Sequence, residues 1–152
     1  RAGEIGHMVI DYNGLQCECG KTGCLNTVLN IKSIIDRARQ YDDRIISIND
    51  IVEKSKEDVE WAKVLFDDIC MYASIAVNSI ICSYDPSIIR IGGKFINQVE
   101  GVLDIVSSLK DYGKFVDLNI EADLEVSSLK DKAYIIGGAI NSQKLLIEKI
   151  FI

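Results

Sequence analysis

The chain has 152 residues, 48% of them apolar and 26% charged, which is the balance of a globular domain with one sizeable core. Its formal net charge is −6, and no Lys/Arg cluster stands out, so this piece is a poor match for a phosphate backbone. No secretory leader and no run of about 18 uncharged apolar residues is visible, which sets aside export and a membrane span. Five cysteines suit a reducing, cytoplasmic setting.

The chain starts at Arg1 without a methionine, and we expect it to be a piece of a longer protein. Met8-Val9-Ile10 is a short apolar run that reads as a strand, turned by Asp11-Tyr12-Asn13-Gly14. Residues 15–24 form a loop rich in cysteine and glycine. From Asn26 the pattern becomes helical: Val28, Ile31, Ile34, Ile35 and Ala38 recur at three and four, to about Gln40. A short helix to Lys54 follows, capped by Ser47 or Asn49.

The longest element is expected from about Lys56 to Ser83. It is apolar on most sides after Met71, as befits a helix between layers. Cys70 and Cys82 lie on it and read as core residues, not ligands; Trp61 and Phe66 read as core or interface. Tyr84-Asp85-Pro86-Ser87 stops it. Ile88–Ile91 then reads as a strand covered on both faces. A helix over 95–109, a strand over 115–120, a polar connection over 121–131 and a closing helix over 133–150 complete the chain. Two adjacent glycines inside a helix cost about 1 kcal/mol each relative to alanine, so Gly137-Gly138 calls for a packing or ligand reason. Strands alternating with helices over short links predict an α/β fold with at least one parallel pair.

The chemistry concentrates in Glu4–Cys24. His7, Cys17, Cys19 and Cys24 supply one imidazole and three thiols within 18 residues. That is the donor set of a closed structural zinc site. Cys17 and Cys19 can share one tight turn, and Gly20 and Gly23 let the backbone bring Cys24 to the same point. His7 is expected to arrive from the strand before the loop. The plainer alternative is separate core cysteines with a satisfied core histidine. Three clustered cysteines are odd in number, which argues against a disulfide framework.

Ala2-Gly3-Glu4-Ile5-Gly6-His7, followed by Cys17-x-Cys19-Gly20-x-x-Gly23-Cys24-Leu25, resembles the signature of the ROK family of repressors, open reading frames and sugar kinases. Ile88–Gly93 and Gly137-Gly138-Ala139 sit where that family has glycine motifs, so the resemblance covers nearly the whole chain. It implies the C-terminal lobe of an actin-like, ribonuclease-H-like fold over 1–152, stapled by zinc. The N-terminal lobe, and any DNA-binding helix-turn-helix, would lie upstream. It implies that Glu4 and His7 hold sugar hydroxyls. Asn26 stands where the family usually has glutamate, a third sugar contact; the alternative for Asn26 is a helix cap. The resemblance places a nucleotide near Gly92, Gly93, Gly137 and Gly138, against the alternative of a plain strand-to-helix turn and a close helix contact.

Two functions follow from the resemblance. The first is the sugar-binding and oligomerising lobe of a transcriptional regulator of carbohydrate metabolism. It would respond to a sugar or sugar phosphate and reach DNA only through an upstream domain. Asn26, the bulky Lys94-Phe95 after the glycine pair, and the tail from Leu145 to Phe151 favour it. The second is the C-terminal half of an ATP-dependent sugar kinase. A zinc-stapled assembly module with no ligand is a third. Missing first strands of the lobe would leave apolar surface uncovered, so a homo-oligomer is expected.

Overall fold

The computed structural model describes residues 3–93, 122–129 and 132–150. Four helices run in succession: α1 (Asn26–Leu29), α2 (Ile31–Ala38), α3 (Ile48–Lys56) and α4 (Glu60–Tyr84). Strands β1 (Ile88–Ile91) and β2 (Asp123–Val126) follow, and α5 (Lys132–Ile150) closes the chain.

The single helix expected from Asn26 to about Gln40 is two. Asn30 is extended (φ −68°, ψ 135°), which ends α1, and its side chain accepts from the Lys32 backbone N–H to cap α2. The periodicity runs through both pieces, so the break is written in one capping residue. Helix α3 starts on Ser47, whose hydroxyl takes the Asp50 N–H while the Asp50 carboxylate takes the Ser47 N–H. This reciprocal box satisfies two otherwise orphaned donors.

Helix α4 starts at Glu60, four residues later than expected. Asp58 has φ +66°, a left-handed conformation that no helix interior accepts. Lys63 holds its carboxylate at 2.8 Å. The C-cap of α4 is Asp85, also left-handed at φ +45°, with Pro86 directly after it. By length and composition α4 would suffice to cross a bilayer. Here Ala62, Leu65, Ile69, Cys70, Ser74, Val77 and Ile81 are buried along it, and it is the spine of the core. Ile34 from α2, Ile48 and Ile51 from α3, and Leu124 from β2 share the same cluster.

Strands β1 and β2 pair in parallel, Ile88 opposite Asp123 and Ile91 opposite Val126. The region read as a polar connection therefore contains a strand. Its apolar residues, Leu124 and Val126, alternate with acids, and Leu124 is buried. That two-residue period was in the sequence but short. The expectation that β1 is covered on both faces is corrected as well. Ile89 and Ile91 pack on the core, whereas Ile88 is exposed and Arg90 reaches Glu125 at 3.0 Å on the outer face. The helix expected over 95–109 and the strand expected over 115–120 lie outside the described residues.

Helix α5 lies within a residue of its expected start. A Cβ built on Gly137 or Gly138 meets nothing within 4 Å, so no packing against the described residues explains the pair. Ile136, Ile140 and Ile147, spaced by four and seven, are 37%, 60% and 49% exposed, an uncovered apolar face of the kind the sequence led us to expect.

Candidate metal centre and the cleft beside it

The strand expected at Met8–Ile10 is reduced to a single antiparallel bridge, Val9 with Cys24. His7 instead ends a 3-10 turn over Ile5–His7, closed by His7 N–H donating to the Glu4 carbonyl at 3.0 Å. The turn exists because the chain must reverse within three residues to bring the imidazole back over the loop. The bridge does the rest. Leu25 N–H donates to the Met8 carbonyl and Ile10 N–H to the Gly23 carbonyl, both at 2.9 Å. These bonds hold the two flanks of the loop side by side.

Inside the loop a second bridge, Gln16 with Thr22, closes a tight turn. Cys17 N–H donates to the Lys21 carbonyl at 2.7 Å, and Gly20 N–H to the Cys17 carbonyl at 2.9 Å. Gly20 has φ +88° and Gly23 φ +72°, both in the left-handed region that favours glycine. At Gly23 a side chain is also sterically forbidden, because its Cβ would overlap the Asp11 carbonyl.

This backbone brings the four predicted donors together. The ligating atoms of His7, Cys17, Cys19 and Cys24 all lie within 4.8 Å of one another. Cys17 Sγ is 3.5 Å from His7 Nδ1, and Cys19 Sγ is 3.6 Å from Cys24 Sγ. A tetrahedral ion with Zn–S near 2.3 Å and Zn–N near 2.0 Å needs edges of about 3.8 Å between sulfurs and about 3.5 Å from sulfur to nitrogen. These two edges fit that figure, and the others lie within 4.8 Å. Separate core cysteines would have no reason to converge in this way. Cys24 and Cys17 are buried and Cys19 is exposed, so one corner of the group faces solvent.

The free thiols differ in acidity. The Lys21 backbone N–H, donating to its sulfur, brings Cys19 down to about 7. Burial pushes Cys24 up to about 11. A thiol raised that far loses its proton near neutral pH only where a cation takes its place, so metal binding here would be coupled to proton release.

With Nδ1 turned to the sulfurs, the His7 ring keeps Nε2 for another partner. His7 lines a cleft of ≈ 290 Å³ together with Asn26, Gln16, Asn30, Ser33 and Asp36. Asn26 does not cap its helix: the cap position is Leu25, with no side-chain bond. The Asn26 carboxamide instead lies against Gly6, where a Cβ would collide with it. Glu4, at the N-cap of the 3-10 turn, is exposed and is not among the residues lining this cleft. The contribution of α2 escaped the sequence reading. Asn30, Ser33 and Asp36 are spaced by three, a polar stripe beside the apolar one, and that spacing was visible. Gly92 and Gly93 end β1, Gly92 close to Ser127 with 3.1 Å left for a Cβ. Gly93 has φ +118°.

Fold and site together define a helix-and-strand lobe whose first loop is organised by three thiols and an imidazole. Residues 1–144 match the ROK family, and the chain belongs to it. It is 25% identical to a xylose repressor of Caldicellulosiruptor bescii, over 90% of this chain and 37% of that protein. It is 26% identical to an N-acetylmannosamine kinase of Haemophilus influenzae, over 97% of this chain and 48% of the kinase. Among solved structures, a ROK hexokinase from Thermus thermophilus superposes with a TM-score of 0.73 at 20% identity, over 87% of this chain and 44% of the hexokinase. A ROK transcriptional regulator homologous to the E. coli MLC protein superposes with a TM-score of 0.60 at 28% identity, over 82% of this chain and 34% of the regulator. The chain thus spans less than half the length of each of these relatives, and it is structurally similar to part of the actin-like sugar kinases.

Proposed function

We propose that this chain is the sugar-binding and oligomerising C-terminal lobe of a ROK-family transcriptional regulator of carbohydrate metabolism, with a structural zinc held by His7, Cys17, Cys19 and Cys24. The observation that carries the reading is the shared position of His7, which belongs to the thiol group through Nδ1 and also lines the cleft with Asn26. Three thiolates and an imidazole suit zinc, and four protein ligands leave no open position for an activated water. Zinc supplies rigidity to the loop and a fixed ring orientation to His7.

The sugar is a small polyol, or its phosphate, whose hydroxyls both donate and accept. His7 Nε2–H donates to one oxygen, while the Asn26 carboxamide accepts from one hydroxyl and donates to another. Glu4, exposed at the start of the turn, accepts hydrogen bonds from hydroxyls where an upstream lobe closes over it. Ligand binding then favours one arrangement of lobes, and contacts between copies pass that bias to a DNA-binding region elsewhere in the protein. The xylose repressor among the relatives supports a regulator, and the setting is cytoplasmic. DNA is reached only through that other region, and the uncovered apolar face of α5 supports assembly of copies.

The second reading, an ATP-dependent sugar kinase, is favoured by the kinase relative that matches 97% of the chain. In it ATP would approach the backbone at Gly92, Gly93, Gly137 and Gly138, where the open space around Gly137 and Gly138 leaves room. A catalytic aspartate would then have to come from outside these residues.

Calorimetric titration of the chain with D-xylose and D-glucose, beside a titration with ATP, separates the two. Binding of one sugar, weakened at least about tenfold by Asn26→Ala, with no ATP bound, is the expected result. Binding of ATP by this chain, lost when Gly92 and Gly137 are replaced, would overturn the regulator reading.

A further inference from the structure

The four clustered donors are not equal in their access to solvent. Cys24 is fully buried and Cys17 nearly so, at 0% and 7% exposure. Cys19 is exposed at the tip of the Cys17–Lys21 turn. Its sulfur lies 3.6 Å from that of Cys24. A solvent-facing thiolate with a second sulfur at van der Waals distance is the arrangement of an oxidisable cysteine with its resolving partner. Gly20, beside Cys19, has nothing within 4 Å of a built Cβ, so the tip of the turn has room to shift. A disulfide needs the two sulfurs to close to about 2.05 Å.

We infer that Cys19 is a peroxide-oxidisable site, and that its oxidation joins it to Cys24 and expels the metal. This rests on the metal reading above and adds regulation to the same site. The Cys19 thiolate attacks one oxygen of a hydroperoxide. An S–O bond forms, the O–O bond breaks, and the leaving oxygen takes a proton as water or alcohol. The Cys24 thiolate then attacks the Cys19 sulfenic acid. The S–S bond forms, the S–O bond breaks, and hydroxide leaves and is protonated to water. Two thiolates thereby lose two electrons to one peroxide and two protons are consumed. Cys17 and His7 remain, two donors where the ion needs four, and the metal leaves. His7 then loses what fixes its ring toward the cleft.

The chain carries its own comparator. Cys82 is also exposed. It lies twelve residues from Cys70 on the same helix, about 18 Å along the axis, so it has no resolving partner there.

The experiment uses the full chain with Cys82→Ser, loaded with zinc, treated with hydrogen peroxide and monitored with a chromogenic zinc chelator. Trypsin cuts after Lys21, so Cys19 and Cys24 fall on different peptides and stay joined only through a disulfide. The expected result is release of about one zinc per chain, in step with a Cys19–Cys24 linked peptide, and reversal by dithiothreitol with added zinc. Zinc retained under excess peroxide overturns the inference and leaves the metal reading standing. Release with only sulfinic acid at Cys19, or with a Cys17–Cys24 link, overturns it as well. A chain that carries no zinc before oxidant overturns both readings together.

Discussion

Residues 3–25 and the helical layer from α2 to α4 are held together by different physics. The helical layer buries Ile34, Ile51, Ile69 and Cys70 almost completely, and its shape follows from where apolar side chains find one another. The loop buries only three hydrophobic side chains, those of Cys17, Cys24 and Leu25. Its order comes from two isolated bridges, a 3-10 turn and two glycines in the left-handed region. A segment with so little apolar burial cannot offset its own chain entropy. On the zinc reading proposed above, a cation would hold the four donors at one point, so the site and the core should fail separately.

Metal removal is the sharpest way to test that separation. Structural zinc contributes on the order of 10 kcal/mol to small metal-folded modules. Chelation should therefore expose the amides of residues 8–24 to hydrogen exchange while those of α3 and α4 stay protected. Uniform loss of protection would show that the two regions are one cooperative unit.

Next in size are two substitutions, one on each side of the comparison. Gly23→Ala forces a Cβ into the Asp11 carbonyl at positive φ, so it should cost about 3 kcal/mol or more, read as weakened zinc affinity with α4 intact. Ile51→Ala opens a cavity in the fully buried core and should cost about 2–5 kcal/mol in denaturant unfolding, with zinc stoichiometry unchanged. If either variant shows the other's signature, the separation is wrong.

Acidity gives a graded version. Cys24 pushed up to about 11 by burial, and Cys19 held near 7 by the Lys21 N–H, must both be thiolates to bind. Protons compete more strongly as pH falls, so zinc should be held above pH 7 and lost progressively below it. A zinc content constant from pH 8 to pH 5 would contradict this. The smallest effect belongs to the α3 cap. Ser47→Ala removes half of the capping box and should cost about 1 kcal/mol. The Asp50 carboxyl is held below its usual range, chiefly by the Ile46 backbone N–H. Its folded value is depressed, so its stabilisation is present above about pH 4 and lost as pH falls further.

Much of the helical layer was legible because burial imposes a period. Ile31, Ile34 and Ala38, and Leu65, Ile69 and Val77, declare their helices. The boundaries were less so. Asn30 splits a helix through its own side-chain acceptor, and Asp58 breaks one by entering the left-handed region. Each is a local choice among conformations that the residue type permits without dictating. Strand β2 was missed because its four residues hold one alternation, too short to stand out until Ile89 and Ile91 supply a parallel neighbour.

The clustering of the four candidate donors was legible from residue type and spacing alone. Thiols and an imidazole are the donors that zinc favours, and glycines at 20 and 23 permit the turns that gather them. Which way each donor faces was decided in three dimensions. The 3-10 turn, not a strand, presents Nδ1 to the sulfurs; α2 builds the wall of the cleft; and burial of Cys24 beside an exposed Cys19 makes the two thiols chemically unequal. Those are properties of proximity and solvent access, which arise only when segments distant in the chain pack against each other.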